Sequence, residues 1–490
     1  MISLAPASLP DWLSPGSPAI EQAIRRASSH SYESWWGRCV SVGFCANPVQ
    51  ASAYDPNRRQ WVAVMIRCGN RRASVCPSCS DLYAADTWQL IHAGTAGGHH
   101  GMPEHTAHRP QVFATLTAPS FGAVHTSDPE HPGRACHPPG DTTRYCAHGI
   151  PLSCGRVHCS EDTAIGQPLC PQCYDYTGHV LFNWHAPELW RRFTIALRRT
   201  LARHLRSASV DPDAVRVSFV KVAEYQRRAV IHYHTLIRLD PTDDTDGDDQ
   251  NATSAESDVG VSAIELAALV RRAAEQVRLP VTMPTATGTG DHPEREDRVV
   301  GFGTQIDTQP LTATGGDPGK SGLARRVAAY LAKYTTKSVA EFGIAARRIS
   351  GRAIAELDLP AHPRRILSTL ADLAAVPGNA AMLAWLHTLG YRGHITTKSR
   401  RYSTTMGALR AARHHWRQRD AEQPEDDDQH DAPSQADQSS ATGELTDWRI
   451  DGAGHRNDGE RLLVHTAAHQ ARQQRYLARL HARDETGTSP

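Results

Sequence analysis

The sequence predicts an α+β fold with a central antiparallel sheet and cysteine-rich, zinc-ribbon-like insertions. Two strand-like runs, VSFVKVAEY and VIHYHTLIRLD, flank the polar segment QRRA, which can turn the chain back as a hairpin. Downstream, Ala, Leu and Lys in VAAYLAKYTTK favour a helix. The 11 cysteines are clustered. Together these features indicate a sheet with helices beside it and metal-binding insertions.

The hairpin carries two histidines on one face. His232 and His234 are separated by one residue, so their side chains project from the same side of the sheet. If the pairing is centred on Arg228, Glu224 lies directly across from His232. Two imidazoles and one carboxylate suit a divalent cation with open coordination positions, such as magnesium or manganese. The alternative is a half-buried strand with two incidental histidines.

The helical run VAAYLAKYTTK places two tyrosines on one face. Tyr330 and Tyr334 are four residues apart, and Lys333 and Lys337 form a second pair nearby. A tyrosine hydroxyl can attack a phosphodiester and form a covalent phosphotyrosine. Two tyrosines would allow two successive attacks. The alternative is an amphipathic helix whose tyrosines lie at the edge of the core.

The ordered segments FATLT (residues 113–117), IHYHTLI and YLAKYTTK resemble the three motifs of HUH endonucleases. The closer resemblance is to rolling-circle replication initiators of actinobacterial plasmids and integrative elements, and it covers about residues 60 to 415. It implies an HUH nuclease core, in which a ferredoxin- or RRM-like antiparallel sheet carries the histidines and the tyrosine helix packs beside it. The long gap between the first two motifs departs from the family pattern and holds cysteines. The residues implied for the site are the metal ligands Glu224, His232 and His234 and the nucleophiles Tyr330 and Tyr334.

The resemblance also implies a reaction. The protein would nick single-stranded or extruded origin DNA and rejoin it through a 5′-phosphotyrosine, as an initiator of rolling-circle plasmid replication. Lys333 and Lys337 would steady phosphate charge or lower the tyrosine pKa. The segment GGDPGKSG ends like a phosphate-binding loop, but Thr314 stands where that loop needs glycine. Strand unwinding would therefore fall to a host helicase within the host replication machinery.

The cysteine clusters predict two structural zinc sites, because a Cys-x2-Cys pair needs two further ligands to complete a tetrahedral shell. For the first site we expect Cys76 and Cys79, joined by Cys68 and by either Cys39 or Cys45. For the second site the expected ligands are Cys146, Cys154, Cys170 and Cys173, with His148, His158 or Cys159 as alternatives. The other interpretation of both clusters is reduced cysteines without metal.

The charge is unevenly distributed. The net charge is only +1, yet residues 319–419 hold 18 Lys and Arg against four acidic residues. Such a stretch favours contact with DNA phosphates, although it is also typical of a solvated face. The residues expected to contact DNA are Lys398, Arg400, Arg401, Tyr402, Arg410 and Arg413.

The length of 490 residues predicts about three domains. No apolar run is long enough to span a membrane and no secretory signal is evident, so we expect a cytoplasmic protein. The expected order is an N-terminal cysteine-rich region (1–105), the first part of the nuclease core (106–240) with a zinc-binding insertion (136–175), a disordered acidic insertion (241–262), the second part of the core with the tyrosine helix (263–345), a basic DNA-contacting region (346–419), a disordered acidic linker (420–447) and a helical tail (448–490).

Two other functions fit the same features. A relaxase or transposase of the HUH type would use the same chemistry on a different target. A zinc-containing DNA-binding regulator without nuclease activity would bind DNA and leave it uncut.

Overall fold

The structure is a computed structural model of the chain. It describes residues 16–128, 131, 133–138, 144–242, 259–284, 295–311, 322–344, 348–422 and 445–485. The acidic insertion and the acidic linker expected from the sequence lie mostly outside these residues. The chain divides into two compact units, here called unit 1 (Met1–Asp86 and Gly407–Pro490) and unit 2 (Thr87–Met406).

The strands are β1 (Val49–Asp55), β2 (Gln60–Ile66), β3 (Gln111–Leu116), β4 (Val215–Tyr225), β5 (Ile231–Pro241), β6 (Leu279–Pro284), β7 (Arg295–Val300), β8 (Ile306–Leu311), β9 (Thr396–Lys398) and β10 (Thr446–Ala453). The α-helices are α1 (Ala19–Ala27), α2 (Tyr32–Ser41), α3 (Pro77–Ala96), α4 (Tyr176–Ser207), α5 (Ala263–Glu275), α6 (Gly322–Tyr334), α7 (Ala361–Ala374), α8 (Met406–Glu422) and α9 (Asp458–Glu485). None of the helices in these ranges is both long and apolar enough to cross a membrane.

Unit 1 joins the two ends of the chain. Its sheet has the order β10-β1-β2, and both pairings are antiparallel. Helix α9 packs against α1, where Glu460 Oε1 lies 3.3 Å from Arg26 Nε. The tail expected as a separate element (448–490) therefore shares a unit with the N-terminal region. Nothing in local sequence patterns indicates such a distant strand pairing.

Unit 2 contains a five-stranded antiparallel sheet of order β8-β3-β5-β4-β9. The fold is therefore α+β with antiparallel sheets, as the sequence predicts. One face of the sheet packs on α4 and α5, where Tyr233 contacts Trp190 and Phe302. Because side chains alternate along a strand, the neighbours of Tyr233 project from the opposite face. That opposite face carries the candidate site.

Helix α4 is the long support beneath the sheet. Asp175 caps its N-terminus by accepting a hydrogen bond from the backbone N–H of Gly178 at 2.9 Å. Its apolar face includes Leu189, Phe193 and Leu197, all nearly inaccessible to solvent. Full burial of each large apolar side chain stabilises the fold by roughly 1.5–3 kcal/mol, so this apolar face fixes α4 against the sheet.

Candidate metal and tyrosine site

The two histidines lie on the hairpin that β4 and β5 form. Glu224 pairs directly with His232 in this hairpin, which is the register predicted from a turn centred on Arg228. The turn places Ala229 in the left-handed region, at φ 65°. A residue other than glycine adopts this conformation at some cost in energy, so the surroundings must hold it.

Glu224, His232 and His234 form a cluster with little exposure to solvent. Glu224 Oε2 lies 3.0 Å from His232 Nε2 and 3.1 Å from His234 Nε2. Burial raises the pKa of the Glu224 carboxyl, but hydrogen bonds to the two imidazoles and the charge of Lys337 outweigh it and lower the pKa to about 2. Burial lowers the pKa of His234. At neutral pH the cluster therefore offers a carboxylate and a neutral imidazole, both in the form that binds cations.

A second contact orients His234. Strand β3 lies beside β5 with Thr115 opposite His234, and Thr115 Oγ1 is 3.1 Å from His234 Nδ1. When the hydroxyl accepts from Nδ1–H, the Nε2 lone pair is free for a cation. The ring of Phe113 stacks against His234 at 5.9 Å. The segment FATLT is thus part of the sheet and contacts the site.

The two tyrosines lie above this cluster. Tyr330 Oη is 3.5 Å from His234 Nε2, and the ring of Tyr334 stacks on His234 at 5.6 Å. The two tyrosine rings are 4.7 Å apart, as expected for residues four apart on one helix. Tyr330 is 41% exposed, so one side of this residue faces solvent.

Lys333 and Lys337 have different surroundings. Helix α6 ends at Tyr334, earlier than the predicted run, so Lys337 follows the helix and its Nζ reaches Glu224 Oε1 at 2.9 Å. Lys333 is exposed, and its Nζ lies 5.7 Å from the Tyr334 ring centre. The pKa of Tyr330 is raised, opposite to the direction expected from the lysines, because burial, the hydrogen bond with Tyr334 and the charge of Glu224 favour the neutral phenol.

Buried polar side chains brace the hairpin turn. His179 Nε2 lies 3.1 Å from the carbonyl oxygen of Ala229, and Asn183 donates to the same oxygen at 3.2 Å. His362 Nε2 lies 3.1 Å from the carbonyl oxygen of Arg228. Burial lowers the pKa of His179 to about 3 and that of His362 to about 4, so each is a neutral donor at pH 7. Sequence reasoning missed these residues because isolated histidines and asparagines carry no spacing signal.

The first cysteine group consists of Cys45, Cys68, Cys76 and Cys79, whose sulfur atoms all lie within 4.8 Å of one another. Cys45 Sγ is 3.7 Å from Cys76 Sγ and 3.6 Å from Cys79 Sγ. These values match the edge of about 3.8 Å for a tetrahedron with zinc–sulfur bonds of about 2.3 Å. Of the two alternatives that the sequence left open, Cys45 joins the group and Cys39 does not.

The second group consists of Cys146, His148, Cys170 and Cys173. His148 Nδ1 is 3.2 Å from Cys173 Sγ and 3.8 Å from Cys170 Sγ. The placement of Cys154 in this group was wrong. Its backbone pairs with that of His137 in an antiparallel bridge, which draws Cys154 toward a different set of ligands.

That different set consists of His125, Cys136, Cys154 and His158. His125 and Cys136 have no predicted role in the sequence, and His158 was expected only as an alternative ligand for the second group. The four residues contain no Cys-x2-Cys pair, so only the folded loop brings them together. Cys159, the other alternative, is exposed and belongs to neither group.

Two residues expected to contact DNA have partners within unit 2. Tyr402 is fully buried and lies 5.2 Å below the Arg238 guanidinium, so it cannot stack on a base. Lys398 Nζ donates to the backbone carbonyl oxygens of Arg400 and Ser403 at 3.1 and 2.9 Å. The expectation for Tyr402 is therefore wrong, whereas the expectation for Lys398, which is half-buried, stays a prediction.

The other four candidate DNA contacts are all arginines. Arg413 forms a two-pronged ion pair with Asp86 inside unit 1, with Nη2 at 3.0 Å from Oδ2. The charge of Arg413 is therefore compensated by a carboxylate of the protein itself. Arg400, Arg401 and Arg410 are exposed and keep the prediction of a phosphate contact open.

A family model described as replication initiator protein, pSAM2, matches residues 31–469. The chain belongs to this family. A curated replication initiator protein from Streptomyces ambofaciens is similar to it, with 37% identity over 484 residues that cover 94% of this chain and 95% of the relative. No solved structure gives a significant match. The match to the initiator family includes the hairpin, the tyrosine helix and all three cysteine groups.

Proposed function

We propose that this replication initiator nicks and rejoins plasmid origin DNA by tyrosine transesterification of the HUH type, for rolling-circle replication. The observation that carries the proposal is the position of Tyr330 Oη, 3.5 Å from His234 Nε2 in a cluster that also holds Glu224 and His232. A nucleophile next to a His2Glu set is the arrangement that metal-assisted phosphoryl chemistry needs.

Glu224, His232 and His234 would hold the catalytic cation. Their donor atoms lie within 4.8 Å of one another, and Thr115 Oγ1 can accept from His234 Nδ1–H when a cation takes the Nε2 lone pair. Magnesium or manganese suits one carboxylate and two imidazoles with open positions. When bound, the cation would polarise the scissile phosphate and stabilise the charge that develops on it.

Tyr330 is the better candidate for the first attack, because its hydroxyl lies 3.5 Å from His234 Nε2 and the residue is 41% exposed. In this step a bond forms between Tyr330 Oη and phosphorus, and the bond from phosphorus to the 3′ oxygen breaks. The phenolic proton leaves to solvent, and the released 3′ oxygen takes up a proton. The products are a 5′-phosphotyrosine and a free 3′-hydroxyl that can prime synthesis.

The other side chains of the site have supporting roles. Lys337, 2.9 Å from Glu224 Oε1 and 4.8 Å from the Tyr334 ring, places a positive charge where the phosphate must approach. Tyr334 would make the second attack after one round of synthesis, when the junction is regenerated. The exposed Lys333 would interact with a neighbouring phosphate.

The proposal extends to partners and structural metals. The protein would bind single-stranded or extruded origin DNA, and a host helicase with the host replication machinery would unwind and copy it. Zinc would occupy the first and second cysteine groups, where it would fix the segments that carry the ligands.

The test is a cleavage assay on labelled single-stranded origin DNA with manganese, in which covalent adducts are scored on a denaturing gel. We expect Tyr330→Phe to reduce the first adduct on the order of 1,000-fold or more, because the attacking oxygen is gone. Tyr334→Phe should keep the first nick and lose the second transfer. Tyr145→Phe, which changes an exposed tyrosine outside the site, is the matched control and should behave as wild type.

Two results would contradict parts of the proposal. Full adduct from Tyr330→Phe with none from Tyr334→Phe would reverse the order of the nucleophiles. If the manganese-loaded wild type binds its origin and forms no adduct, the nuclease proposal is wrong and a DNA-binding regulator becomes the better interpretation.

A further inference from the structure

We propose that His125, Cys136, Cys154 and His158 bind a third zinc ion, which fixes the loop at 159–166 against the turn of the β4–β5 hairpin. His158 Nε2 lies 3.5 Å from Cys154 Sγ and 3.2 Å from His125 Nδ1. A tetrahedral zinc with bonds of about 2.0–2.1 Å to nitrogen and about 2.3 Å to sulfur has edges of roughly 3.3–3.8 Å. The observed spacings match a Cys2His2 shell.

The contact between His158 and Asp162 is an independent sign of a built metal site. The His158 side chain is fully buried, and its Nδ1 is 2.6 Å from Asp162 Oδ2. A carboxylate that accepts from one ring nitrogen fixes the tautomer and directs the other nitrogen at the metal. Asp162 thus orients His158 Nε2 toward the two cysteines and His125.

The sulfur of Cys136 also has the surroundings of a metal thiolate. The backbone N–H of Thr126 donates to Cys136 Sγ at 3.1 Å, which stabilises a negative sulfur. His137 Nδ1 is also close to this sulfur, at 3.0 Å. His125 is the better ligand because its Nδ1 is near both Cys136 Sγ and His158 Nε2, at 3.9 and 3.2 Å.

The proposed site has a defined consequence for the hairpin. The loop that follows His158 crosses the turn, where Arg227 donates to the carbonyl oxygen of Ser160 at 2.7 Å. Gly166 packs so closely that a Cβ at this position would collide with the backbone of Arg227. Zinc at this site would hold the loop against the turn. Glu224 and His232 lie on the two strands that this turn connects.

The experiment measures zinc in the full-length chain by elemental analysis after exhaustive dialysis. We expect Cys136→Ser and His158→Asn each to contain one zinc per chain less than wild type. His131→Ala, in the same loop region but with an exposed side chain that contacts Asp128, should keep the wild-type zinc content. Amide hydrogen exchange at residues 226–229 should become faster in the two zinc-depleted variants and stay unchanged in the control.

A milder variant decides the question if the ligand variants do not fold. Asp162→Asn keeps all four ligands, and we expect it to weaken one zinc by about 10–100-fold in a chelator titration while the other zinc ions are released as in wild type. Wild-type zinc content in folded Cys136→Ser and His158→Asn would overturn the proposal. So would a chelator titration of Asp162→Asn that is identical to that of wild type. Loss of zinc from His137→Ala but not from His125→Ala would overturn the ligand set.

Discussion

One face of the central sheet carries two clusters of polar side chains, each centred on one carboxylate. The clusters differ in the basic side chains beside that carboxylate. At one end of β5, Glu224 lies between His232 and His234. At the other end, Asp240 Oδ1 lies 2.6 Å from Arg238 Nε and 2.7 Å from Arg109 Nη1, and all three side chains are at most 2% exposed. The same strand therefore supplies a histidine cluster and an arginine cluster from alternate positions.

The difference separates a structural role from a chemical one. Arginine stays protonated and has no lone pair for a metal, so the charge of Asp240 is permanently compensated and this cluster offers no cation site. Imidazole can lose its proton and bind a cation, so the charge beside Glu224 is exchangeable. Burial alone does not distinguish the two ends, because Glu224 and His234 are also buried. The chemistry of the cationic partner and the adjacent exposed tyrosine distinguish them.

The largest effect should follow from breaking the arginine cluster. Asp240→Ala removes the buried carboxylate that pairs with both Arg238 and Arg109, and we expect the free energy of unfolding of unit 2 to fall by about 3–5 kcal/mol. Urea denaturation monitored by circular dichroism measures the loss. Asp307→Ala, at an exposed aspartate on β8 of the same sheet, is the matched control and should change it by less than about 0.5 kcal/mol. A loss below about 1 kcal/mol from Asp240→Ala would show that this end is not a closed ion cluster.

The next effect is a pH dependence that comes from the histidine cluster. The folded pKa of Glu224 is about 2, below its ordinary value of 4.5. A depressed carboxyl pKa stabilises the fold above the unfolded value, and that contribution is lost as the pH falls through the folded value. For metal-free protein we therefore expect Glu224 to contribute about 3 kcal/mol above pH 5 and almost none near pH 2.

The comparison of wild type with Glu224→Gln isolates this contribution. Both proteins contain Asp240, whose pKa is also lowered, so both lose stability in acid. The difference between their free energies of unfolding should shrink as the pH falls from 5 toward 2. A difference that stays constant over this range would mean that the imidazoles do not hold Glu224 in its ionised form.

The sequence predicted most contacts of the Glu224 cluster, here called the histidine end, and few contacts of the Asp240 cluster, here called the arginine end. The alternating pattern and the QRRA turn predicted the pairing of Glu224 with His232, because a hairpin register follows from local residues. Arg238 and Asp240 gave no such signal, since their closed environment depends on Arg109 and Tyr402, which are distant in sequence. Tyr402 was misassigned for the same reason. The grouping of Cys154 failed because ligand spacing does not determine which loop brings four ligands together.

The smallest effect should come from Thr115, which supports the histidine end without binding a cation itself. Thr115→Val removes the hydroxyl 3.1 Å from His234 Nδ1 and keeps the shape of the side chain. We expect manganese affinity to fall by about 10–100-fold, because His234 loses the partner that fixes its tautomer. Isothermal titration calorimetry on the full-length protein measures the change. Thr397→Val is the matched control: its hydroxyl has no hydrogen-bond partner among the residues that the structure describes, and it should leave the affinity unchanged. Equal affinities for wild type and Thr115→Val would mean that His234 is oriented by Glu224 and its stacking rings alone, and the histidine end would then resemble the arginine end in depending only on its charged partners.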